Sequence, residues 1–207
     1  MPINSTLPAA PTDDWRMGHI MHWMLECVRD AWGGGRSIES WPTIPGIRSW
    51  INGARFASPP TRAIAMYWDP ADEAGPSLPL YKAGIPMMKR AVYTTLCSAG
   101  VDNIDIYDVE VRSHSSDDVD RSFVAFNIIG TVSAANMASS KIVHDGSPPL
   151  IAVPFDGVVI DPLAALDLPV FRLAENVTAI VVHDQIKQLL ERQHKGLTFV
   201  RPEDWVG

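Results

Sequence analysis

The chain has 207 residues, 46% of them hydrophobic and 20% charged, with a formal net charge of −7. That length supports one large or two small domains around a substantial core, and the acidic balance argues against nonspecific binding to nucleic acid or an anionic membrane, which needs a basic surface. The opening MPINSTLPAAPTDDW has no basic start and no apolar run, and no stretch reaches the roughly 18 apolar residues of a membrane helix, so a soluble cytoplasmic protein is expected.

Residues 1–12 read as a loose tail. From Asp13 to Trp32, apolar residues at 17, 20, 21, 24, 25, 28 and 32 predict one face of a helix. Asp13 or Asp14 caps its start and GGG at 33–35 stops it. Residues 36–62 carry too much Pro and Gly for long regular elements, and a short strand is expected over Ala63–Trp68. Six of the seven tryptophans and ten of the seventeen prolines fall in residues 1–80. The loop chemistry of EAGPSLPL then divides the chain into a Trp/Pro-rich region, 1–79, and a second region, 80–207.

The second region contains a repeated pattern. Met88, Ala91, Val92 and Leu96 recur at helical spacing, with Gly100 as the stop and a strand in NIDIYDVEV behind it. Val182, Ile186, Leu189 and Leu190 repeat the spacing, with Gly196 as the stop and a strand in LTFVRP. The alternation in IDIYDVEV changes phase after Ile106, which predicts a bulge between Ile106 and Val109. Ser122–Val132 is apolar enough for a strand buried on both faces. Shorter strands are expected at 150–153, 157–160 and 169–173, and one helical turn in DPLAALDLP. Together these predict an α+β fold with a mixed, mainly antiparallel sheet carrying two strand-helix-strand units.

The stretches FVAFNIIGTVSAANMASSKI, GVVIDPLAALDLPVFRL and TAIVVHDQIKQLLERQHKGLTFVRPED resemble the Imm11 family of bacterial immunity proteins. The matching positions are Asn127 in its strand, Ser139 or Ser140, the pair Phe171 and Arg172, and the tail from Ile180 to Phe199. Residues 80–207 carry the likeness. The sequence departs from the family at Ser133 and Asn136, where acids are usual, and at Lys89 and His183, where Ser commonly starts the helices. Neither Lys nor His is a favoured cap, so the caps should come from elsewhere, with Asp184 assisting at the second helix. The resemblance implies a protein that neutralises a cognate toxin by binding it, with no catalytic residue and no cofactor.

Chemical motifs are sparse. There is no nucleophile elbow, zincin motif, Walker loop or dinucleotide fingerprint. GGGR at 33–36 reads as a flexible connection rather than a phosphate cradle. His19 and His22 share a face of the expected helix, but no carboxylate completes a metal site by spacing. Ser113, His114, Ser115, Asp117 and Asp118 hold the residue types of a hydrolytic triad without its geometry. A small hydrolase or transferase using His114 is the alternative function, and a non-inhibitory adaptor of a secretion or toxin gene cluster is another. Cys27 and Cys97 are expected as reduced, buried thiols.

Asn127, in an apolar strand, must find hydrogen-bond partners. Arg172 alternates outward on its strand, to pair with an acid or to face a partner. Residues 102–120 hold seven acids and one base, Arg112, for a net −6. Asp108 and Glu110 share a strand face, and Asp117, Asp118 and Asp120 follow in a loop. Such a surface would steer a basic protein partner, a toxin in the family reading. Trp41 and Trp50 are further candidates for an interface.

Overall fold

The computed structural model describes residues 21–27, 35–143 and 152–207. Its strands are β1 (His22–Glu26), β2 (Ile64–Tyr67), β3 (Leu80–Tyr81), β4 (Met87–Lys89), β5 (Ile104–Arg112), β6 (Val119–Asp120), β7 (Phe123–Ile128), β8 (Thr131–Val132), β9 (Val170–Leu173), β10 (Ile180–His183) and β11 (Thr198–Val200). The helices are α1 (Arg90–Ser98), α2 (Pro162–Ala165) and α3 (Asp184–Gln193), with a 3-10 turn at Pro202–Asp204. One sheet runs β11-β1-β10-β9-β8 and the other β2-β5-β7-β4-β3, with β6 on β5. Among the described residues, only β2–β5 and β8–β9 are parallel pairs. The chain is α+β, as the alternation of short strands with two amphipathic helices predicts.

The two repeated units are built alike. In β4-α1-β5 both strands pair antiparallel with β7, which lies between them. In β10-α3-β11 both pair antiparallel with β1. Each unit is therefore a split crossover whose middle strand comes from elsewhere in the chain. Gly100 (φ 85°) takes the left-handed conformation that ends α1 cheaply, whereas α3 ends at Gln193 with His194 already extended and Gly196 (φ 86°) lies in the turn that leads to β11. The helices meet through Thr95, whose hydroxyl is 2.9 Å from Gln193 Oε1 and 2.8 Å from His194 Nε2. Val92, Leu96, Ile186 and Leu190 fill a core between the sheets, with Val124, Phe126 and Ile128 from one side and Val170, Ile180 and Val182 from the other.

Each sheet also buries its outer face. Trp50 and Trp68 pack with Ile64, Met66, Tyr81, Met87, Val109, Val111, Phe123 and Ala125 of the β7 sheet. Phe155, Val158, Ala165 and Trp205 pack on Met24, Phe171, Leu173 and Val181 of the β1 sheet. Burial on two sides explains why β7 is sealed at all six positions. The described part of residues 1–79 thus contributes to both sheets, through β1 and β2.

Several expectations require correction. The helix over Asp13–Trp32 is replaced, where the chain is described, by strand β1; residues 13–20 and 28–32 lie outside the described residues. A strand sealed on both faces buries Met24 and Leu25 in succession. That pattern mimics a helical stripe, and only the partner strands decide. The stripe of α1 is Val92, Thr95 and Leu96, while Ala91 is exposed and Met88 belongs to β4. No bulge divides Ile106 from Val109: β5 keeps one register on β7 from Ile104↔Ile128 to Asp108↔Val124. Its phase changes because Ile104 and Ile106 face the helices, whereas Tyr107, Val109 and Val111 face the second core. Strand 169–173 forms as β9, but 152–153 and 157–160 do not become strands, and 150–151 lie outside the described residues. Phe155, Asp156 and Ile160 make single bridges instead.

The caps also differ from expectation. His183 does cap α3, its Nδ1 accepting the Gln185 amide at 3.2 Å, whereas Lys89 makes no side-chain cap to α1. Asp161 accepts from the Leu163 amide at 2.9 Å and starts the turn of α2. Cys27 and Cys97 are both free, but Cys97 is exposed on α1 rather than buried.

Candidate partner-binding surface

The acidic segment runs along β5 and through a turn at 113–118 into β6. β5 is fixed by β7 and β6 along one edge and by β2 along the other. Its even-numbered residues 108, 110 and 112 therefore point away from the second core. Tertiary structure brings cations to this strand that the local charge count does not contain. Arg90 donates from Nη2 to Asp108 Oδ1 at 2.7 Å. Arg55 Nη1 donates to Asp105 at 2.7 Å. Glu110 receives Arg112 at 3.0 Å and Arg121 at 2.9 Å, and the hydrogen bond from Arg112, then that from Arg121, holds its carboxyl below the usual range. The strand half of the acidic run is thus largely matched in charge.

The turn half is different. Asp117 and Asp118 are exposed and Asp120 is half-buried. Asp118 accepts from Ser116 Oγ at 2.9 Å, and Asp120 from the Ser122 amide at 2.8 Å. These bonds shape the turn without supplying a counter-charge. Among the described residues, the arginine pairs on this segment fall on Asp105, Asp108 and Glu110, and none falls on Asp117, Asp118 or Asp120.

Beside this turn lies a pocket of about 540 Å³ lined by Arg36, Trp68, Glu73, Ser113, Asp118 and Asp120, among others. Trp68 is 2% exposed and anchored in the second core, so it forms a rigid floor. Arg36 sits 5.4 Å from the centre of the Trp68 ring and donates from Nε to the Gly75 carbonyl at 2.7 Å. Glu73 accepts hydrogen bonds from Ser113 and from Ser115, the latter at 3.1 Å. The Ser113 bond is the main cause that lowers the Glu73 carboxyl below its ordinary range. The pocket wall therefore carries the Glu73 carboxylate in its ionised form, with a guanidinium set against the indole.

The triad composition does not become a triad. His114 Nε2 is 2.9 Å from Glu39, and its ring stacks on Tyr67 at 4.9 Å. The Ser113 and Ser115 hydroxyls turn to Glu73 instead. A carboxylate held below its usual range is a poor base for a hydroxyl. His22 is in β1 and buried, and His19 lies outside the described residues. Among the described residues, no group of three or more His, Cys, Asp or Glu is placed to hold a metal. No helix among them is long and apolar enough to cross a membrane.

The remaining singled-out residues lie elsewhere. Asn127 is fully buried, and its Nδ2 donates to the Ala54 carbonyl at 2.7 Å, tying the 47–56 loop to β7. Arg172 is 1% exposed and points into the interior, not outward. Among the described residues it reaches no acid: Nη1 donates to the Val177 carbonyl at 2.8 Å and Nε has no partner. Burial lowers its pKa to about 10. Both faces of β9 are covered, so alternation along that strand separates two cores rather than core from solvent. Trp50 belongs to the second core, edge-on to Phe56 and Tyr107 at 4.9 and 5.5 Å. Trp41 is half-buried against the same core.

Sequence reasoning missed Arg36, Trp68 and Glu73 as neighbours of the acidic turn. They come from residues 36–73, and nothing in their local pattern announces a pocket; the link is the parallel pairing of β2 with β5. No protein-family model matches the chain, and no curated protein matches it.

Proposed function

We propose that this protein is an immunity-type protein that binds and neutralises a toxin by surface complementarity, using the acidic turn Asp117–Asp120 and the adjoining Trp68-floored pocket against a basic partner. The observation that carries this reading is the division of the acidic run. Arginines match the charge of β5, while the turn presents carboxylates toward a polar pocket without a paired cation. Charge left unmatched on a rigid edge steers a cationic protein and excludes acidic ones. The motif resemblance supplies the toxin as the class of partner, and a cytoplasmic site of action follows from it.

The test is co-expression with the toxin-like product of the adjacent gene, together with capture from the native host using the full chain. The triple variant D117K/D118K/D120K should slow association by about tenfold or more at low salt, an effect that added salt erases. Protection and capture equal to wild type in that variant would remove the turn from the interface. Absence of any protection or complex with the wild-type chain would remove the function.

A further inference from the structure

The first sheet contains a buried histidine that nothing in the acidic surface uses. His22 opens β1 and lies directly across from His183 of β10. It is 7% exposed, and its Nε2 is buried without a hydrogen-bond partner. Its ring stands edge-on to the His183 ring at 5.8 Å and to Phe171 of β9 at 5.7 Å. Two imidazoles thus share one end of the β1–β10 ladder against an aromatic wall. His183 is committed as an acceptor, because its Nδ1 caps α3 at the Gln185 amide.

We propose that His22, packed across from His183, makes β1 an acid-releasable strand, its protonation parting β1 from β10 and opening the first sheet at its centre. Protonated His22 would place a cation in a buried site, beside a second imidazole and without an acceptor for its Nε2 proton. The cap that His183 makes to the Gln185 amide holds that second ring in place, so it cannot turn to receive the proton.

The surrounding charges only partly oppose this. Burial, and then the His183 charge, lower the His22 pKa from 6.5 to about 4; Asp167, before β9, pulls the other way. Asp167 is exposed, so water screens it. Arg201 and Glu203, on the far side of β1, line with His22 an open cleft of about 570 Å³ and carry opposite charges. Asp184, at the start of α3, is engaged by the Trp23 indole at 2.9 Å.

The sign follows from linkage. A histidine that stays neutral when packed contributes fully above its free value of 6.5. That contribution is lost as pH falls toward about 4, because the opened strand takes up the proton first. Between pH 7.5 and pH 5 the opened population should rise about 30-fold from His22 alone.

Hydrogen exchange on the full chain, corrected for the intrinsic pH dependence, reads this directly. Protection of the Trp23–Leu25 amides should fall by about that factor at pH 5 while the Val124–Phe126 amides hold. His22→Leu should flatten the response. A ring titration by NMR on the wild type keeps the test independent of how that variant folds. His22 titrating near 6.5, or β1 protection unchanged at pH 5, would overturn the proposal; so would an undiminished response in a folded His22→Leu.

Discussion

The two strand-helix-strand units share a scaffold and differ most in the strand each one encloses. In the β4-α1-β5 unit the enclosed strand is β7, FVAFNI, sealed on both faces, with its one polar side chain bonded to the Ala54 carbonyl. In the β10-α3-β11 unit it is β1, HWMLE, which has a titratable residue at each end. His22 is buried without an Nε2 partner. Glu26 accepts from Lys82 and, at 2.8 Å, from the Trp205 indole, so it ties the sheet to the β3 region and to the C-terminal segment. The same backbone arrangement therefore supports a strand held by apolar burial and a strand held partly by polar contacts. Apolar burial carries no proton to gain or lose; buried polar contacts hold only while their protonation is right. The β7 sheet should be the constant part of the molecule and the β1 sheet the conditional one.

The largest effect that bears on this contrast is removal of a β7 anchor. Phe126 is fully buried in the core shared by both sheets and both helices. Phe126→Ala should lower stability by about 3–5 kcal/mol, from lost burial and the cavity left behind. Urea unfolding measures it, and fluorescence and circular dichroism should report one transition. Two separated transitions would show that the sheets unfold independently and would break the premise that one core joins them.

The next prediction concerns the buried polar residue of each sheet. Asn127 has a partner for its amide nitrogen, whereas Arg172 has one carbonyl for a whole guanidinium. A buried cation without a carboxylate carries a desolvation cost that its few contacts do not repay. Arg172→Met keeps most of the apolar stem and should raise stability by about 1 kcal/mol, read as a higher urea midpoint at unchanged slope. A clear loss instead would mean that the Val177 contact organises the β9–β10 turn more strongly than burial penalises the charge.

Those two residues also mark what the sequence made legible. Asn127 stands in a run so apolar that its need for a partner is evident from the sequence alone. Arg172 looks like an outward residue on an alternating strand, because one sequence does not reveal that a second layer covers the other face. The same ambiguity hid β1, where burial on both faces copies a helical stripe. The repeat, the Gly100 stop and the α+β class were readable because spacing and turn chemistry are local, while α3 ends at Gln193, ahead of the expected Gly196. The charge of the acidic run was misjudged for the opposite reason: Arg55, Arg90 and Arg121 reach it only through sheet pairing and loop placement. The Trp68-floored pocket likewise joins residues as distant in sequence as Arg36 and Asp120.

The smallest effect separates the two units at their helix starts. His183 and Lys89 occupy the same place in the repeat, one residue before the helix, in extended backbone. Only His183 caps, through Nδ1 at 3.2 Å from the Gln185 amide. His183→Ala should therefore cost α3 about 0.5–1 kcal/mol. Lys89→Ala removes no cap bond, only an ammonium 5.8 Å from the Phe123 ring, and should cost no more than about 0.5 kcal/mol. Stability alone separates these values poorly, but hydrogen exchange at the helix starts separates them well. The Gln185 amide is bonded to the His183 ring, so its protection should fall in His183→Ala. The Ala91 amide, at the same place in α1, has no side-chain acceptor on Lys89, and its protection should be unchanged in Lys89→Ala. Exchange measured on the two variants at one pH gives that difference. Protection of the Gln185 amide unchanged in His183→Ala would locate the histidine's contribution in packing, and the two helix starts would then differ in sequence but not in how they are held.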